Sequence, residues 1–390
     1  MRIRYTTIVS VFAFLTFLGV SGLENYLVLW AIAIVLFVGI RKHDLNKSMV
    51  CLFAILLVHI VIYYCNYSRL SMDWIAKNFL NPVMLCFLGY WLALYSQCSV
   101  ISIKLLIYGF FLHGALNILI YVVNPSTMIE RSMINIWGGQ LTATLQNLLF
   151  IPIISLLFYG VYIQKDKKRK ILIISACVVA VYGSIVSASR TLLYLVLICF
   201  LINMIFTTRK KNYKRTKILI SVLMLVAVFD VAYEFNLFGI RSWIESSSLG
   251  ERIATGISTN DSVIENIRWT MSLKILSELP THPFGNITAV HYAHNLFLDI
   301  AKYTGFIPAI GVFLWSIEEI VKCYSYLKSD LSDEWDIVIF SMMIGFMIAF
   351  FLEPVLDGLP IIFAAFCYLC GVMRGRRNRV FESEMKKNGQ

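Results

Sequence analysis

The sequence predicts an all-α, polytopic membrane protein, and three observations carry that expectation. Of 390 residues, 59% are hydrophobic and 15% charged, whereas a soluble domain carries about 25% charged residues. The apolar residues gather into blocks of roughly 15–24, long enough to cross a ~30 Å hydrocarbon core. The basic residues gather into the breaks between blocks: Arg41-Lys42 with Lys47, KDKKRK (165–170), RKKNYKRTK (209–217) and RGRRNR (374–379).

About twelve transmembrane helices are expected, near 6–22, 26–40, 48–65, 79–97, 101–123, 141–163, 171–188, 191–207, 218–235, 295–317, 337–352 and 361–373. An alternating path with the N-terminus inside puts about 25 of the 34 lysines and arginines on the cytoplasmic side, nearly all in loops or tails. The reverse path inverts that ratio, so the positive-inside rule selects cytoplasmic N- and C-termini. The net charge of +11 is then a topology signal beside anionic lipid, with no nucleic acid implied. The chain divides into spans one to nine (1–235), a large extracytoplasmic loop (236–293), spans ten to twelve (294–373) and a basic cytoplasmic tail (374–390). That tail is the one basic segment left open to a partner. MRIR and its apolar run resemble a signal peptide without a small-residue cleavage site, which predicts an uncleaved first span. None of the nine cysteines lies in the large loop, so no disulfide framework is expected there. Cys367 and Cys370 form a CxxC inside an apolar helix, where small buried cysteines are ordinary.

The large loop exceeds the length at which structureless connections are common. Ser262 and Glu265 match a capping box, and Ile264, Ile267, Met271 and Ile275 follow at helical spacing until Pro280 ends the run. An amphipathic helix of about 17 residues is expected, with Arg268 flanking its apolar stripe. An HPFG turn (282–285) leads into HYAHNLFLDIAKYTGF (291–306).

Three features carry candidate chemistry, each beside an ordinary reading. Arg190, in SASRT (187–191), sits at an outer junction of two apolar stretches. A snorkelling interfacial arginine is the ordinary reading, but Ser187, Ala188 and Ser189 leave space around a guanidinium suited to bidentate phosphate recognition. Arg252 and Arg268 are each explained by solvated surface charge. Together with Arg190 they put three guanidiniums on one face, which an anionic ligand would explain. His294-Asn295 lies where a helix starts and its dipole favours anions. There an imidazole could bind phosphate, hold an acceptor hydroxyl or act as a general base, or simply rest at the interface. His291 is a helper or nothing, and Asp299 and Lys302 are expected to neutralise one another as an i,i+3 pair. Asp330-x-x-Asp333 reads as a solvated loop. Glu353 and Asp357 read as a solvent-facing turn, with contact to a sugar hydroxyl as the alternative. No HExxH, Cys/His cluster, outer-face DxD or P-loop is present in the sequence, so neither a metal nor another cofactor is expected.

Taken in order, Ser187-Ala188-Ser189-Arg190, a large late outer loop, Arg268-Trp269 through Leu279-Pro280 to His282-Pro283-Phe284-Gly285, Ala293-His294-Asn295-Leu296-Phe297 and Gly305 resemble the O-antigen ligase and O-antigen polymerase superfamily of bacterial polysaccharide assembly. The resemblance covers residues 180–315; WGGQ…QN (137–147) is similar to a polar break in such proteins. It implies a metal-independent, inverting glycosyltransferase in the cytoplasmic membrane, acting at its outer face on oligosaccharide linked to undecaprenyl diphosphate. Arg190 and Arg268, with Arg252, would bind the diphosphate. His294 would orient or deprotonate the acceptor, with Asn295 beside it in the substrate site. A flippase and a chain-length regulator of the same pathway are the implied partners. One departure is Asn286, where the family commonly has a second glycine. A polymerase of O-antigen or capsular repeat units is the leading reading. A ligase onto lipid A-core and a lipid-linked oligosaccharide flippase or transporter are the alternatives.

Overall fold

In hydrocarbon a backbone has no water to bond, so an apolar run is driven to satisfy its own amides as helix. The computed structural model describes residues 2–20, 28, 31–32, 47–95, 100–125, 128–129, 132–211, 236, 239–247, 250 and 262–388. The described helices are α1 (Arg2–Phe17), α2 (Lys47–Tyr67), α3 (Met72–Tyr95, interrupted by a π turn at Ala76–Leu80), α4 (Ile101–Val123), α5 (Thr144–Ile163, an irregular helix), α6 (Lys167–Val186) and α7 (Arg190–Lys211). They continue with α8 (Ile240–Glu245), α9 (Ser262–Glu278), α10 (Leu296–Thr304), α11 (Phe306–Leu327), α12 (Glu334–Leu352), α13 (Val355–Gly358) and α14 (Ile361–Asn388). Among the described residues, seven helices are long and apolar enough to cross a membrane. The chain is thus a multi-pass, predominantly helical protein. The expected span at 218–235 and nearly all of that at 26–40 lie outside the described residues.

Burial sorts the helices into layers. Most of α3, α5 and α12 is buried, whereas α2, α6 and α7 turn most of their residues outward, as lipid-facing helices do. The tightest pair is α3 with α14. A Cβ on Gly89 would collide with the carbonyl oxygen of Tyr368, and one on Gly371 with that of Cys86. Small residues let two backbones approach this closely.

The structure adds to or departs from the sequence expectations in four places. Residues 124–143 hold a three-stranded antiparallel sheet, β1 (Met128–Ile129), β2 (Ser132–Ile134) and β3 (Gln140–Thr142), with Met133 opposite Leu141. The expected span at 295–317 is instead two helices, α10 and α11, broken at Gly305, whose φ of +81° ends the first. The expected basic tail continues α14 as helix to Asn388. Its Arg374 pairs with Glu319 and bonds Ser48, and both arginine and glutamate are buried. The Asp330-x-x-Asp333 segment is not a solvated loop throughout. Asp333 caps α12 in a capping box with Asp336, and Arg376 bonds Asp333 at 2.8 Å and Asp336 at 2.7 Å.

The expected surface helix is present as α9, over the bounds read from the sequence. The side chains of its first turn, with the capping box, Ile264 and Ile267, lie outside the described residues. Ile275 is buried with Ile287, Val290 and Ala293, and Met271 packs against them. A second stripe, Trp269, Leu273 and Leu276, is exposed.

Candidate functional site

The residues singled out in the sequence converge on one end of the helices. The α6–α7 turn is held from beneath: the Asn147 amide nitrogen donates to the Ser187 hydroxyl, which itself donates to the Gly183 carbonyl at 2.6 Å. Asn147 and its neighbour Gln146 are both 1% exposed. Gln146 accepts from Asn117 at 2.7 Å, and Asn117 accepts the Ile136 amide at 2.9 Å, tying the sheet to the same layer. Ala188 then adopts φ +52°, which costs an L-residue roughly 1–2 kcal/mol. Arg190 follows as the first residue of α7, and the Thr191 hydroxyl donates to Glu353 Oε1 at 3.1 Å.

Glu353 therefore does not face solvent. It is buried at the end of α12, and the residue before it receives the second arginine. Arg268 Nη1 on α9 donates to the Leu352 carbonyl at 3.3 Å. The end of α12 thus joins Thr191, the residue after Arg190, to Arg268 on α9. Arg252 lies outside the described residues.

His294 is half-buried at φ +53°, again a left-handed conformation for a non-glycine. Its Nδ1 is buried without a hydrogen-bond partner among the described residues. Burial pushes the imidazole down to about 4, and the nearby Arg268 charge adds to that shift. The ring is consequently neutral near pH 7, a weaker base than a free imidazole that is still able to accept a hydrogen bond. The Tyr292 ring meets it edge-on at 4.7 Å. Asn295 Oδ1 accepts the Phe297 and Leu298 amides at 3.0 and 3.2 Å as the N-cap of α10. That oxygen is committed to the helix, leaving the amide NH₂ for a ligand.

Asp299 and Lys302 act on one another's charge, as expected, and each also has a separate job. Asp299, fully buried, accepts the Ala293 amide at 2.7 Å and so fixes the residue before His294. Lys302 donates to the His291 carbonyl and lies 4.0 Å from Asp357. Asp357 also accepts the Tyr303 hydroxyl at 2.9 Å, and it is exposed, as the turn reading expected. His291 contributes this carbonyl, while its residue is exposed.

The HPFG turn docks on the break between α10 and α11. Asn66 donates to the Phe284 carbonyl at 2.7 Å and to the Tyr303 carbonyl at 2.9 Å. Asn286 sits at φ +64°, which glycine adopts freely and asparagine tolerates better than most residues.

Asn147, Asp299 and Asn66 are the positioning residues that sequence reading missed. The QN pair was visible as a polar break, and Asp299 as a carboxylate in an apolar run. Neither signal names the amide or hydroxyl each holds. Among the described residues, no group of three or more His, Cys, Asp or Glu could hold a metal ion. Compared with known proteins, the chain matches no family model and no curated protein.

Proposed function

We propose that this chain is an integral-membrane glycosyltransferase that polymerises oligosaccharide repeat units carried on undecaprenyl diphosphate, at the outer face of the cytoplasmic membrane. The observation that carries the reading is that Arg268 lies near enough for its charge to act on the strained His294, while it also bonds the end of α12, where Glu353 accepts from Thr191 at the start of α7. The motif resemblance to the O-antigen ligase and polymerase superfamily supports it from the sequence side, and Asn286 keeps the backbone form of the glycine it replaces.

In this reading the acceptor hydroxyl oxygen attacks the anomeric carbon of the donor sugar with inversion. The bond from that carbon to the diphosphate oxygen breaks, and the lipid diphosphate leaves. His294 takes the hydroxyl proton. Arg190 and Arg268, with Arg252, neutralise the charge that grows on the leaving diphosphate, the kind of stabilisation that lowers such barriers most. Asn295 orients substrate through its amide NH₂. The arginines supply the charge, so the step is metal-independent and needs no cofactor.

The test is transfer by purified protein in lipid nanodiscs given a lipid-linked repeat unit. Arg190→Ala, Arg268→Ala and His294→Ala should each lower elongation by about 10²–10⁴-fold while the protein stays folded, the range for losing one charge-stabilising group or a general base. Normal product ladders from Arg268→Ala and His294→Ala would sink the proposal.

The broken helix at Gly305 favours one second reading, a flippase, because transporters place substrate sites at helix breaks. Protein that moves the lipid-linked sugar between leaflets and never elongates it would select that reading.

A further inference from the structure

A second cleft opens beside the proposed site. It has a volume of about 220 Å³ and is lined by the end of α1, the π turn of α3, α4, the sheet and the α13–α14 junction, including Thr16, Lys77, Asn81, His113, Asn135 and Trp137. From these contacts we infer that the cleft is a carbohydrate subsite that holds one pyranose residue of a glycan.

Its lining has the mixed character that a sugar ring requires. Trp137, 38% exposed, offers an aromatic face for the C–H face of a pyranose. The indole is held in place from two sides. Its Nε1 donates to the Leu18 carbonyl at 3.4 Å, and Asn135 Oδ1 accepts the Trp137 and Gly139 amides at 2.8 and 2.9 Å. Those bonds leave the Asn135 amide NH₂ to donate to a hydroxyl. The Thr16 hydroxyl donates to the Phe12 carbonyl at 2.9 Å and keeps its lone pairs as acceptors. Lys77, bonded to Asp73 at 2.7 Å and 40% exposed, stands at the mouth.

The floor excludes a lipid tail. His113 is 5% exposed, and its Nε2 has no hydrogen-bond partner among the described residues. An acyl chain against it would leave a buried polar atom unsatisfied, which is unfavourable. A sugar hydroxyl that reached this nitrogen would satisfy it. The volume equals the liquid share of about seven waters at ~30 Å³ each, so the cleft also exceeds what one structural water needs.

The cleft adjoins the proposed site through α13. Asp357 bonds Tyr303 of α10, and the next residue, Gly358, lines the cleft. The bound sugar is thereby placed as part of the acceptor glycan. That role rests on the transferase reading, whereas the binding itself does not.

The experiment is saturation-transfer NMR on the full chain in phosphatidylethanolamine/phosphatidylglycerol nanodiscs. The probes are the methyl glycosides of glucose, galactose, N-acetylglucosamine, rhamnose and glucuronic acid. At least one should receive saturation. Trp137→Ala should weaken that glycoside about tenfold, equivalent to about 1.4 kcal/mol, and Trp137→Phe should retain most of it. Arg268→Ala should bind it normally. The inference is overturned if no glycoside receives saturation, or if Trp137→Ala binds as the parent does. Binding without any elongation by the parent chain would remove the transferase reading and leave the subsite standing.

Discussion

At the scale of single residues, the site is read most directly from His294. A left-handed backbone at a non-glycine persists only where its surroundings hold it, and here Asp299 holds the preceding amide. The imidazole is pushed down to about 4 from its ordinary 6.5, by burial first and the Arg268 charge second. A folded pKa below the unfolded one means the folded state binds fewer protons. Stability from this group is therefore lost as pH falls from about 6.5 towards 4. Nitrogen-15 NMR of labelled histidine should find His294 neutral at pH 6. Arg268→Ala should raise its midpoint, and burial should keep that midpoint below 6.5. A midpoint unchanged by Arg268→Ala would separate the two residues. Asp299 gives a second residue-scale prediction. Asp299→Ala leaves the buried Ala293 amide unsatisfied, at about 1–3 kcal/mol. It should lower kcat for transfer by at least tenfold, and Asp299→Asn, which keeps the accepting oxygen, should recover most of that loss. Equal loss in both variants would make the charge, and not the bond to Ala293, the operative feature. Arg190 and His294 could be singled out in the sequence as polar groups at the edges of apolar runs, and Arg268 as a guanidinium flanking an apolar stripe. The jobs of Asp299 and Asn147 were not legible, because they are set by partners six and forty residues away.

At the scale of elements, legibility followed the strength of the local signal. Helix α9 was readable to its ends because a cap, a 3.6-residue apolar period and a proline all agree on it. Its exposed stripe of Trp269, Leu273 and Leu276 was missed because one apolar face was already assigned. The α10–α11 break was hidden for a different reason. Hydropathy averages over a window, and one glycine inside an apolar run does not lower it. Physically, Gly305 is decisive, since its φ of +81° is strained for any other residue and a Cβ there would strike the Pro283 carbonyl oxygen. The same break carries the docked HPFG turn, which bonds Lys302 and Tyr303 backbone groups through Ile287 and Asn286. Gly305→Ala should therefore cost about 1–3 kcal/mol for the backbone alone, because φ +81° with ψ −174° is a region held essentially by glycine, with the collision added. The measurement is the melting temperature of purified protein together with protease sensitivity near residues 282–290. The cleavage should rise before global melting, because the turn loses its seat first. An unchanged melting point and cleavage pattern would show that the break tolerates a side chain.

At the scale of the whole molecule, the two ends of the bundle are built on different physics. The end with His294 holds strained turns, and among the described residues the buried His294 Nδ1 has no hydrogen-bond partner. The opposite end is closed by buried charge: Arg374 with Glu319 and Ser48, and Arg376 with Asp333 and Asp336. The sequence placed the arginines there but read them as a loose tail, because charge counting sees sign and position and not the carboxylates facing them. The glycines that let α14 run against α3 bring these arginines into reach of α11 and α12. Breaking a buried pair from one side strands the other charge, at about 3–5 kcal/mol. Arg376→Ala should therefore lower the melting temperature sharply, since Asp336, 1% exposed, loses its nearest cation. Asp336→Asn in the same chain should return part of that stability, a coupling that a double-mutant cycle measures directly. Because no hydrogen bond or ion pair given for the described residues joins Arg374, Arg376 or their carboxylates to His294, elongation per folded molecule should survive Arg376→Ala at permissive temperature. Loss of elongation in fully folded Arg376→Ala protein would instead mean that the clamp sets the geometry of the distant end. Simple additivity of the two substitutions would mean that Asp333 alone balances the arginine.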